Sequence, residues 1–160
     1  MNGADIYAFS VYIWNVSLVE RVCRHIRLCR PDSTVIIGGP EALHAVSLNG
    51  DLYDYCLTGD GERSFFGLAC ELCGFAVPEA LNYSAEDKIR SAEYKSDLSE
   101  IEFPYSDKNL DNYNGRIIYY EASRGCPFSC AYCLSAGDGR VRELPIERVL
   151  ADIDFFIKNI

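Results

Sequence analysis

A chain of 160 residues, 49% hydrophobic and 24% charged, has the composition of a soluble globular protein and enough apolar material to bury a core, as one ordinary domain or two small pieces. No apolar run approaches the roughly 20 residues of a membrane span, and the N-terminus lacks the basic patch and long apolar stretch of a signal peptide. The net charge of −9 speaks against nucleic acid as a main partner, because phosphate binding requires a basic face. With no export signal, eight cysteines point to free thiols or metal ligands in the reducing cytosol rather than to disulfides, so a cytoplasmic location is expected.

Residues 4–11 (Ala-Asp-Ile-Tyr-Ala-Phe-Ser-Val) read as a buried strand. A helix follows from about Val16 to Cys29, with Val19, Val22, Cys23, Ile26 and Cys29 at helical spacing and Pro31 as its stop. Thr34-Val-Ile-Ile37 is a short β-branched strand of the kind covered on both faces. It leads into Gly38-Gly39-Pro40 and a weak helix around Glu41 to Leu48. Tyr53-Asp-Tyr-Cys-Leu57 reads as a third strand ending in Thr58-Gly-Asp-Gly-Glu62. A helix from about Glu62 to Cys73 then carries Phe65, Leu68, Ala69 and Leu72 on one face, with Gly74 closing it. Three strand–helix alternations predict a parallel sheet with helices on both faces.

From Phe75 to about Gly115 the pattern breaks down into a polar stretch of mixed charge with Pro78 and Pro104, read as a linker that partly packs on its neighbours. Arg116-Ile-Ile-Tyr-Tyr-Glu-Ala122 reads as a further strand. Pro145 opens a last helix, whose buried side is expected to hold Val149, Leu150, Ile153, Phe156 and Ile157.

Between that strand and that helix lies the most specific feature of the chain, the run Ser123-Arg-Gly-Cys-Pro-Phe-Ser-Cys-Ala-Tyr-Cys133, in which Cys126, Cys130 and Cys133 are spaced C-x3-C-x2-C. Soft thiolates select zinc, copper(I) or iron–sulfur clusters. Structural zinc usually takes four closed ligands, whereas here there are three cysteines and the two histidines, His25 and His44, are far upstream. Three thiolates on a four-iron cluster leave one iron open to a small molecule, and Gly125 lets the backbone approach closely. The segment resembles the cluster-binding loop of the radical S-adenosylmethionine superfamily, with Tyr132 in its aromatic slot. The resemblance implies a 4Fe-4S cluster on Cys126, Cys130 and Cys133, S-adenosylmethionine on the open iron, Tyr132 beside the adenine, and reductive cleavage to a 5′-deoxyadenosyl radical. It also implies that the strand at 116–122 is the first of a partial (β/α)6 barrel, with the loop at the C-terminal end where barrel active sites lie.

The upstream units resemble the cobalamin-binding domain that precedes the radical module in many members of that superfamily. Phe9-Ser-Val-Tyr-Ile-Trp-Asn15, Ile37-Gly-Gly-Pro40 and Gly59-Asp-Gly-Glu62 match three of its loops in order and spacing. Such loops sit at the C-terminal ends of parallel strands, where α/β sheets bind ligands. Ser10 is expected to hydrogen-bond cobalamin, and Gly38 and Gly39 to let its nucleotide tail approach the backbone. The D-x-H-x-x-G signature of a cobalt ligand is absent, and three strands appear where five are usual. The expected fold class is α/β, a partial Rossmann-like parallel sheet of cobalamin-binding type followed by the first βα unit of a TIM-like radical module. The expected boundaries are 1–75, a linker at 76–115, and a truncated barrel start at 116–160. The chain reads as an internal piece of a longer enzyme, with no catalytic residue assignable beyond the cluster ligands. As a piece it is expected to be inactive alone and, with sheet edges unpaired, poorly soluble.

Cys70 and Cys73, a C-x2-C pair, follow an apolar stripe and read as buried thiols; Cys23, Cys29 and Cys56 read as core, and His25 as a surface or satisfied histidine. Asp60 and Glu62 are expected to favour the positive end of the next helix. The implied chemistry is methyl transfer, or a radical cyclisation or rearrangement, on a small-molecule or peptide substrate with a flavodoxin or ferredoxin as electron donor. Two alternatives stay open: a methylthiotransferase, a class with a second cluster on three N-terminal cysteines whose spacing Cys23, Cys29 and Cys56 do not reproduce, and a non-enzymatic zinc-binding module.

Overall fold

Val35, Ile36 and Ile37 leave no polar side chain in the middle of their strand, and a computed structural model places all three at 0–1% exposure, inside a sheet covered on both faces. It describes residues 4–81, 83–92, 97–105, 113, 115–133 and 140–159. The chain divides into two units, Met1–Tyr94 and Lys95–Ile160.

The first unit is built from β1 (Ile6–Ser10), α1 (Val16–Cys29), β2 (Thr34–Gly38), α2 (Ala42–Asn49), β3 (Tyr55–Thr58), α3 (Gly61–Cys73), β4 (Tyr83–Glu86) and β5 (Ile89–Ala92). The sheet runs β1-β2-β3-β5-β4; every pairing is parallel except the β4–β5 hairpin. It is thus an α/β fold with a mostly parallel sheet, as the alternation of elements predicts. Side-chain alternation sorts the core. Val35, Ile37 and Cys56 pack with Val19, Cys23, Ile26, Ala42 and Ala45 from α1 and α2, while Ile36 and Leu57 meet Leu68 of α3.

At the N-terminal ends of the strands, Arg27 of α1 ties the layers together. Its guanidinium donates to the carbonyls of Leu52 (3.1 and 2.9 Å) and Ser33 (2.9 Å) and to Asp54 Oδ2 (2.8 Å). The same carboxylate oxygen accepts the Val35 amide at 2.7 Å. On the opposite side, Arg90 of β5 is buried and held by a two-pronged bond to Glu71 of α3, both contacts at 2.9 Å, with its guanidinium 4.8 Å from the centre of the Tyr55 ring. Tyr83 of β4 donates to the same carboxylate at 3.0 Å.

Several expectations are corrected. The strand read as buried at 4–11 is an edge strand with Ile6, Ala8 and Ser10 exposed, because no element among the described residues covers that face of β1. The sheet has five strands rather than three: β4 and β5 fall inside the stretch 76–115, where short polar strands carry no apolar alternation to betray them. The buried side of α3 is Ser64, Gly67, Leu68 and Cys70, so Phe65 and Phe66 face outward.

In the second unit, residues 116–122 are not in a sheet. Pairing begins at β6 (Ser123–Gly125), which runs antiparallel to β7 (Val141–Glu143), followed by α4 (Ile146–Asn159). A short 3₁₀ turn, Leu98–Glu100, precedes them. Phe103, Tyr105, Tyr113, Tyr120, Phe155 and Phe156 form an aromatic cluster with edge-to-face contacts, among them Phe103–Phe155 at 5.3 Å and Tyr105–Phe156 at 5.0 Å. Buried Asp152 of α4 accepts from Tyr120 Oη at 2.8 Å and from Arg148 Nε at 2.9 Å. This network turns α4 so that Val149 and Phe156 pack while Leu150, Ile153 and Ile157 are exposed, against the expected buried side.

Candidate cofactor loops and cysteine loop

Three loops leave the C-terminal ends of β1, β2 and β3. Ser10 and Gly38 are register partners, and the chain beyond them stays coupled: the Val11 amide donates to Gly38 O at 2.7 Å and the Glu41 amide to Val11 O at 3.2 Å. Gly39 has φ +99°, a conformation side chains rarely adopt, and a Cβ there would stand 2.8 Å from Val11 O and 3.3 Å from Ser10 Oγ. The structure therefore brings Ser10, Gly38 and Gly39 into one patch, and only glycine permits the close passage of the two loops at position 39. Asn15 braces the first loop: its Oδ1 accepts the Tyr12 amide at 2.7 Å and its Nδ2 donates to Ser10 O at 2.9 Å. The Tyr12 and Trp14 rings stack at 4.6 Å within that loop, with Trp14 77% exposed. Sequence reasoning quoted Asn15 within the motif and missed its bracing role; an asparagine beginning a helix would have been the signal.

In the third loop, Asp60 is buried at the N-cap position of α3, where its carbonyl accepts the Ser64 amide at 3.2 Å and Ser64 Oγ at 2.9 Å. Glu62 lies in the first turn, where a carboxylate complements the helix dipole, as expected for both residues. His44 is on the exposed side of α2.

The cysteine loop has a defined base. Gly125 and Val141 are register partners in the β6–β7 pair, so the chain between them is closed at its neck. Gly125, at φ +102°, presents its bare Cα to the Arg140 carbonyl, leaving no room for a Cβ. β7 was not legible in the sequence, since Val141-Arg-Glu143 is only three residues long. Cys126 is half-buried; Cys130 and Cys133 are exposed and linked by a turn in which the Cys133 amide donates to Cys130 O at 3.1 Å. Tyr132 is 92% exposed. Among the described residues no three His, Cys, Asp or Glu side chains are gathered at metal-binding distance, so the three thiols share a loop without yet converging. Their chemistry nonetheless fits a cluster: three soft donors on one loop of eight residues. In the upstream patch the space a side chain would take is already filled, by Val11 and Ser10 at Gly39 and by Leu57 at Gly38, so the glycines serve the packing of the loops themselves.

The remaining cysteines divide. Cys23, Cys56 and Cys70 are buried as read, whereas Cys29 and Cys73 are exposed; Cys29 lies two turns after Val22 on the same side of α1, and Val22, also expected on the buried stripe, is exposed as well. No helix among the described residues is long and apolar enough to cross a membrane.

No protein-family model matches the chain. It is 28% identical over 178 aligned positions to the 2-(S-pantetheinyl)-carbapenam-3-carboxylate methyltransferase of Streptantibioticus cattleyicolor, and 25% identical over 182 to the cobalamin-dependent radical SAM methyltransferase TokK of Streptomyces tokunonensis. Each alignment takes in 97% of this chain and 26% of the relative, so the chain spans about a quarter of the length of the curated relatives it matches. The resemblance to the radical S-adenosylmethionine superfamily, in its cobalamin-binding subgroup, is borne out by these relatives.

Proposed function

We propose that this relative of cobalamin-dependent radical SAM methyltransferases works as part of a longer methyl-transferring enzyme. In it Cys126, Cys130 and Cys133 hold a 4Fe-4S cluster, Tyr132 flanks the adenine of S-adenosylmethionine, and Ser10, Gly38 and Gly39 border a cobalamin. The observation that carries the reading is the cysteine loop itself: three thiols delivered from a neck fixed by β6–β7 pairing and by Gly125. Methyl transfer is favoured over cyclisation or rearrangement because both relatives are named as methyltransferases.

When bound, these groups supply an electron to the sulfonium, a radical for hydrogen abstraction, and a methyl carrier. The chain's own part is to hold and orient. The thiolates fix the cluster and leave one corner open; the exposed Tyr132 ring offers a flat apolar face for stacking. Asn15 holds the Ser10 loop in shape, and Gly39 lets the second loop pass close beside Ser10 and Val11. In this reading the first unit, with β4 and β5 in its sheet, belongs to the cobalamin-binding layer and residues 116–160 to the barrel start. The electron donor is a flavodoxin or ferredoxin, the substrate a small molecule or peptide, and the setting cytoplasmic.

The test uses the full-length enzyme, reconstituted anaerobically. Serine at Cys126, Cys130 and Cys133 together should remove the iron and abolish adenosyl cleavage while leaving bound corrinoid in place. Gly39→Val should do the reverse, retaining iron but lowering corrinoid content at least about tenfold. Iron and cleavage that survive the cysteine replacements would overturn the reading.

A further inference from the structure

On α1, two metal-ligating side chains already touch. His25 and Cys29 stand one turn apart on the exposed side of α1, with Cys29 Sγ 3.5 Å from His25 Nε2. We infer that His25 and Cys29 form a two-residue clip for a divalent cation of borderline softness, Zn2+ being the best match, separate from the cysteine loop and independent of the function proposed above.

The distance carries the argument. Tetrahedral zinc takes sulfur at about 2.3 Å and imidazole nitrogen at about 2.0–2.1 Å, which sets the S···N separation near 3.6 Å. The pair therefore stands at the bite distance of the ion, on a helix whose i, i+4 spacing holds both donors on one face. Its place in the helix adds to this. Cys29 is the final residue of α1, where the negative end of the macrodipole favours a cation and disfavours a bare thiolate. A metal ion satisfies both demands.

Two of the four neighbouring arginines are engaged elsewhere. Arg27 is tied to Leu52, Ser33 and Asp54, and Arg24 donates to Asn49 Oδ1 at 2.9 Å. Arg21, one turn before His25, and Arg30, next to Cys29, oppose a cation, so the affinity is modest. On uptake the Cys29 thiol gives its proton to solvent. The thiolate and the Nε2 lone pair of His25 each donate one electron pair to the ion, and the His25 proton stays on Nδ1. Among the described residues no third His, Cys, Asp or Glu completes the set, so water or a donor from another molecule takes the open positions.

Labelling histidine with nitrogen-15 in the full-length enzyme makes the imidazole itself the reporter, and the signal lost in His25→Gln identifies His25. The labelled enzyme is titrated with Zn2+. The expected result is a saturable shift of the His25 Nε2 resonance, with at least about tenfold more Zn2+ needed in Cys29→Ser, an exposed and conservative change. A His25 resonance that Zn2+ leaves in place, or a Cys29→Ser midpoint within tenfold of the parent, overturns the inference.

Discussion

Cys23 and Cys56 lie in the core, and burial pushes both thiols up to about 11, so at neutral pH they are protonated and poor nucleophiles. Cys29, Cys73, Cys130 and Cys133 meet solvent. Brief treatment with a neutral alkylating reagent should label these four and spare Cys23 and Cys56 until denaturant is added, as read by peptide mass spectrometry. Equal labelling of Cys23 would mean that α1 does not pack as described. Single residues were legible where one local rule governs them, as with the apolar stripe that singles out Cys23 and Ile26, or the glycines whose backbone conformation excludes side chains. Asn15 escaped because its two bonds depend on how the chain folds back after β1, which no spacing encodes. Cys29 escaped because the buried stripe of α1 is narrower than the apolar one: Val19, Cys23 and Ile26 are covered, while Val22 and Cys29, seven positions apart on one side, are not.

Between α3 and the β4–β5 hairpin, the Arg90–Glu71 pair decides the packing of elements whose sequences alone say little. Arg90 and, less strongly, the Tyr83 hydroxyl hold the Glu71 carboxyl below its ordinary range, outweighing the opposing effect of burial. A carboxyl whose folded value is depressed adds stability at pH above the unfolded value, about 4.3, and loses it as pH falls through the folded value. Glu71→Gln should therefore cost on the order of 1–2 kcal/mol at neutral pH, since hydrogen bonds to charged groups contribute roughly 1.5–3 and Glu71 is partly exposed. It should also flatten the acid limb of a stability–pH curve measured by urea unfolding; an unchanged limb would remove Glu71 from the account. β4 and β5, four residues each with Ser84, Glu86, Arg90 and Ser91 among them, owe their place to this tertiary pair. Arg116–Ala122 shows the converse: a β-rich composition that finds no ladder partner among the described residues.

Taken whole, the first unit was legible as an α/β layer because strand and helix periods alternate three times and β2 is apolar throughout, which requires cover on both faces. What composition does not encode is the order of strands, and it is the order that leaves β1 at an edge with Ile6 42% exposed. An edge strand with outward apolar side chains is a template for pairing between copies. The chain should self-associate with rising concentration, and Ile6→Lys should reduce that at least severalfold, as measured by light scattering; scattering that does not depend on this substitution would clear β1 of the role. The Arg27 guanidinium has a different reach. It anchors the starts of β2 and β3, far from the crest where Ser10 faces Gly38, yet it fixes the origin from which positions along both strands are counted. A slip of one residue at that base would invert Val35, Ile36 and Ile37 between the two layers and carry Gly38 away from Ser10. The geometry of the Ser10–Gly38 crest at one pole of the sheet is thus calibrated by an ion pair at the other.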